Sequence, residues 1–176
     1  MIQQKDEVKL IYLLNNTVRR VRMNASHRAN VTPGWAGDSV GHYEGDTLVI
    51  DTVGIRTAPF STVDPFGTPH GQNLHVVERY RLTDGDFAAK EQSRNGAKFT
   101  PAPAFARGLI DPDTTRPGLQ VEFTVEDPMA FTMPWSGRVT YRSVSGVWPE
   151  AVCAENPYAY YLGRTTSVPM AQSPDF

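Results

Sequence analysis

No stretch of ordinary helix length in this chain repeats apolar residues at helical spacing. What recurs instead is a short β-favouring run, the runs being punctuated by Gly, Pro, Asn and Asp. The runs are VKLIYLL (residues 8–14), TVRRVRM (17–23), DSVGHY (38–43), TLVIDTVGI (47–55), LHVVERYRL (74–82), LQVEFTVED (119–127), PWSGRVTYRSV (134–144) and WPEAVCAE (148–155). Joined mostly by short turns, about seven to nine such strands make a sequential antiparallel meander. A meander that long closes on itself, because unpaired edge strands invite aggregation. The expected fold is all-β: a lipocalin-like barrel or half-barrel in preference to a jelly roll, with little helix.

A chain of 176 residues suffices for one domain with a proper core, so residues 1–176 are expected to form a single β domain. Residues 87–118 look like one long irregular insertion in a hairpin tip, and the tail from about residue 157 is expected to wrap the surface. The first part of the insertion suits one or two helical turns. The second, with Pro101, Pro103, Pro112 and Pro117, cannot be regular.

Apolar residues at 40% and charged residues at 20% exclude a disordered tail. A formal charge of -2 argues against a general nucleic-acid binder, which would show a basic face. No run of about 18 apolar residues exists to make a membrane-spanning helix. The single cysteine, Cys153, rules out an internal disulfide and any multi-cysteine metal site within the chain. The opening MIQQKDEVKLIYLL is not a secretory signal, since its charges are mixed and its apolar run is short.

The densest chemistry lies in GDSVGHYEGDTLVIDT (37–52), with His42, Glu44, Asp46 and Asp51 close together. Glu44-Gly45-Asp46 has hairpin-turn chemistry, glycine supplying a positive φ. Alternation puts Asp51 on one face with Val49 and Val53, where a carboxylate needs a partner: a site, or backbone amides at the strand end. In LHVVERY, His75 and Arg79 share one face and Glu78 and Tyr80 the other, so His75 and Glu78 cannot act on one substrate without a bulge. Glu122 and Arg138, on neighbouring runs, suit a surface ladder as well as a lumen. No nucleophile elbow and no glycine-rich phosphate loop ahead of a helix occurs, so neither nucleophilic catalysis nor a nucleotide cofactor is expected.

GDSVGHYEGDTLVIDT, NLHVVERYRL, FTVEDPMAFTMPW and VCAEN together resemble an uncharacterised family of exported bacterial proteins with GDSxGxxEGDTLVxDT, LHVxER and FTxxDP…PW motifs. The resemblance covers most of the chain and implies a periplasmic or secreted parent, but it brings no assigned activity. Such proteins carry further residues before the strand that KLIYLL resembles, so the resemblance also implies a fragment or truncated product.

The leading expectation is a small-molecule-binding barrel for an organic or carbohydrate-like ligand, with acid–base chemistry (lyase, isomerase or hydrolase) open inside its cavity. The candidate catalytic residues are His75 and His42 as bases and Arg79 as an anion holder; the candidate ligand contacts are Asp51, Glu78, Tyr80, Glu122 and Trp135. One alternative is a cupin-like metal enzyme holding a divalent ion through His42, His70 and His75, although no H-x-H motif exists. Another is a structural module forming homo-oligomers through its strand edges.

Overall fold

The computed structural model describes residues 1–12, 17–64, 66–96 and 113–143. Eight strands follow in chain order: β1 (Ile2–Gln3), β2 (Glu7–Ile11), β3 (Val18–Met23), β4 (Asp38–Glu44), β5 (Thr47–Val53), β6 (His75–Thr83), β7 (Gly118–Glu126) and β8 (Trp135–Tyr141). They form one sheet in the same order, β1 to β8. The described residues are mostly β, a largely antiparallel meander curled into a half-barrel, with one short helix among them. The last expected run (148–155), Cys153, the middle of the insertion (97–112) and the tail lie outside the described residues.

One pairing departs from a sequential antiparallel meander. β3 and β4 run parallel, with Val21 opposite Ser39, Arg22 opposite Val40 and Met23 opposite Gly41. Parallel neighbours need a crossover of a dozen residues or more, and residues 24–37 supply it. Its far end is tied down by backbone bonds from the Gly34 N–H to the Gly54 carbonyl at 3.1 Å and from the Arg56 N–H to the Gly34 carbonyl at 2.8 Å. A polar loop with Pro33-Gly34 reads as a plain connection in sequence, so the crossover is a feature of the tertiary structure.

The hairpin between β4 and β5 follows the expected turn chemistry. Glu44 pairs with Thr47 across a two-residue loop, and Gly45 has φ 61°. A positive φ at the first loop position is the type II′ pattern, whose twist suits a right-handed hairpin.

The core lies on one face. Val8, Leu10, Val21, Leu48 and Ile50 pack together, flanked by Met23 and Tyr80. The sheet curls around that face. In a flat sheet β3 and β6 stand three strand spacings apart, about 14 Å. Yet Arg19 on β3 and Glu78 on β6 form an ion pair, and both line one cavity with Tyr12, just after β2. The core side is therefore concave and the other side is the outer face.

The helix, α1 (Gly85–Gly96), opens the insertion and is longer than one or two turns. Asp84 caps it, accepting from the Phe87 N–H at 3.0 Å. Asp86 in the first turn and Arg94 in the last suit the helix dipole. Ala88, fully buried, packs on Gly118, where an added Cβ would come within 2.4 Å of the alanine methyl.

Candidate functional site

On the concave face, alternation places Arg19 beside Val21 and Met23, and Glu78 between Val76 and Tyr80. Two charges on an apolar face must find each other. Arg19 and Glu78 form an ion pair with side chains 12% and 15% exposed. Arg19 Nε also donates to Ser39 Oγ at 3.0 Å, and its Nη2 to Thr52 Oγ1 at 2.7 Å. The Tyr80 hydroxyl donates to Glu78 Oε1 at 2.9 Å, and Ser39 and Thr52 hydroxyls meet at 2.9 Å. The Tyr80 phenol pKa is pushed up by burial, then by the negative charge of Glu78, so this group is a donor throughout the physiological range.

This network floors a cavity of about 220 Å³ whose walls include Tyr12, Trp35, Thr52, Ile55 and Val76. Trp35, 69% exposed, stands at the rim, with the Arg56 guanidinium 5.3 Å from its ring centre. The crossover supplies Trp35 and Ala36, so the parallel β3–β4 pairing is what builds one wall.

The outer face carries a different arrangement. His27, on the crossover, places Nδ1 3.0 Å from Asp38 Oδ2 and Nε2 3.0 Å from Asp51 Oδ1. His75 Nε2 lies 2.9 Å from the same Asp51 oxygen, and its Nδ1 is 3.6 Å from Glu126 Oε2. Arg22 Nη2 reaches both Asp38 oxygens, at 3.0 and 2.9 Å. Carboxylates and bases thus alternate across β3 to β7. Asp51 sits opposite Val77, so His75 is its diagonal neighbour on the same face.

The candidate residues therefore divide between two faces. Glu78 and Tyr80 bond each other on the concave face, the combination that alternation allowed. Asp51 and His75 meet on the outer face, where Asp51 takes two imidazoles in place of backbone amides. His42 contacts Glu44 at 3.1 Å, and Arg79 pairs with the same carboxylate, so these two gather at the β4–β5 turn, apart from His75. Glu122 meets Arg138 at 3.5 Å, both about half exposed, as a surface ladder. Trp135 packs edge-on against Phe123 and Phe131, with ring centres 5.8 and 6.0 Å away. His70 is buried with Nδ1 at 3.0 Å from the Gly71 carbonyl. His42, His70 and His75 thus keep separate partners, and among the described residues no group of three or more His, Cys, Asp or Glu is arranged to hold a metal ion.

Sequence reasoning passed over Arg19, His27, Asp38 and Arg22. Arg19 carried a usable signal, because it shares its strand face with Val21 and Met23 as Glu78 does with Val76 and Tyr80. His27 carried none, since its position depends on the crossover. Compared with protein-family models, curated proteins and solved structures, the chain matches none of them.

Proposed function

We propose that this protein binds a small, uncharged organic molecule in the cavity on the concave face of the half-barrel. The observation that carries this reading is the largely desolvated Arg19–Glu78 pair opening onto a cavity walled by aromatic and apolar side chains. The floor is electroneutral, so an anion would meet Glu78 and a cation would meet Arg19. A neutral group that both donates and accepts fits, using spare carboxylate lone pairs and guanidinium N–H groups. The volume of about 220 Å³ equals roughly seven liquid-water volumes at about 30 Å³ each, which suits a substituted benzene or a monosaccharide. Trp35 and Tyr12 add aromatic surface to the lining for such a body.

Binding suits this floor better than proton abstraction. Tyr80 is held protonated, and the imidazoles of His42 and His75 lie on the opposite face of the sheet. An exported location, implied by the family resemblance, belongs to the same reading.

The test is chemical-shift mapping of the labelled protein with benzamide and with glucose as probes. Shifts should cluster on Thr17, the Trp35 indole, Thr52 and Val76, and should vanish in Ala36→Trp, which fills the cavity. Shifts confined to the outer face, or unchanged in Ala36→Trp, would refute the cavity as the binding seat.

A further inference from the structure

We infer that His27 is a proton-operated clasp: as an imidazolium it bridges Asp38 and Asp51 and pins the start of the β3–β4 crossover to the outer face of the sheet, and on losing its proton it lets go of one carboxylate. The argument rests on donor counting. Ionised carboxylates only accept, and a neutral imidazole owns one N–H. Both ring nitrogens of His27 lie 3.0 Å from a carboxylate oxygen. A neutral ring would aim a lone pair at one of them, whereas the imidazolium donates to both.

The surroundings fit one added proton. Facing the cluster are Arg22 from β3, Asp38 from β4, Asp51 from β5, His75 from β6, Glu126 from β7 and Arg28 from the crossover itself. Three carboxylates thus face two guanidiniums and two imidazoles, and protonating a single imidazole makes the group neutral. His27 is the ring that needs the proton. Its two nitrogens each have a carboxylate at hydrogen-bond distance, while His75 has Asp51 at 2.9 Å and Glu126 only at 3.6 Å. Burial pulls the His27 pKa down, but the hydrogen bonds and charges of Asp38 and Asp51 outweigh it and leave the pKa raised. The clasp is therefore closed in acid and opens as pH rises through that raised value. What it pins is local: the Arg28 N–H donates to Asp38 Oδ2 at 3.3 Å beside it.

The inference goes beyond ligand binding, and its test needs no ligand. Nitrogen-15 NMR of the full chain should find both His27 ring nitrogens protonated at about pH 5.5, below the ordinary imidazole value of about 6.5. The His27 midpoint should lie above that ordinary value, and Asp51→Asn should lower it. Exchange of the Arg28 amide, corrected for intrinsic base catalysis, should speed up by about tenfold once His27 is neutral, as for loss of one charge-assisted bond. His27→Gln should show the fast exchange at every pH. A singly protonated ring at pH 5.5, or an Arg28 amide indifferent to the His27 titration, would overturn the clasp. Because the two overturning readouts, ring protonation at pH 5.5 and Arg28 exchange across the His27 titration, are taken on the wild-type chain, a variant that fails to fold leaves the decision intact.

Discussion

Replacing Arg19 with methionine tests the foundation of the concave site. The guanidinium is 12% exposed and its partner carboxylate 15% exposed, so Arg19→Met strands Glu78 in a poorly solvated place with the Tyr80 hydroxyl as its remaining donor in the network. Removing one member of a buried pair costs about 3–5 kcal/mol. The retained Tyr80 bond and the adjoining cavity place this case at the lower end, about 3 kcal/mol. For a chain of this size that lowers Tm by about 6–12 °C. In urea it moves the midpoint down by about 1.5 M for an m-value of about 2 kcal/mol/M. Adding Glu78→Gln removes the stranded charge and keeps a partner for Tyr80. The double variant should therefore recover part of the loss, and the cycle should return a coupling of about 2 kcal/mol. Arg138→Met, which breaks the half-exposed pair with Glu122, serves as the comparison and should cost about 0.5 kcal/mol or less. Should Arg19→Met cost no more than Arg138→Met, with no coupling to Glu78, the pair is screened by water and the argument for a desolvated cavity floor fails.

Two further outcomes follow from local geometry. Gly45 and Gly37 both hold positive φ, at 61° and 65°, but an added Cβ meets nothing within 4 Å at Gly45 and lies 2.6 Å from the Val53 carbonyl at Gly37. Gly45→Ala should cost about 1 kcal/mol in urea unfolding and Gly37→Ala clearly more; equal costs would show that conformation alone governs both. Burial alone would raise the Asp38 carboxyl pKa, but hydrogen bonds from His27, the Arg28 amide and Arg22 hold it below the ordinary value. The stability it adds is complete above the unfolded carboxyl value of about 3.9 and is lost as pH falls toward the lower folded value. Asp38→Asn should flatten the wild-type decline in urea stability over that acid range, and an unchanged slope would count against the Asp38 contacts.

Much of this protein is legible from alternation. The order of strands β2 to β8 follows from the β-favouring runs and the hairpin at Gly45 from its turn residues, although β1 lies outside the expected runs. The sharing of faces by Glu78 with Tyr80 and by His75 with Arg79 follows from a side-chain period of two. The Glu122–Arg138 ladder follows from the pairing of consecutive strands. The capped helix at Gly85–Gly96 was half visible, in Asp84 and the helix-favouring residues after it. What alternation cannot give is the partner of a charged residue on a strand that is not its neighbour. Arg19 on β3 reaches Thr52 on β5 and Glu78 on β6 because the sheet curls inward. His27 reaches Asp38 and Asp51 because β4 lies parallel to β3, sending the connection back along the sheet. The sequence by itself determined which side chains share a face, since that depends on backbone geometry within one strand. The tertiary structure decided which face is concave and which charges meet across several strands, because curl and crossover are properties of the whole sheet.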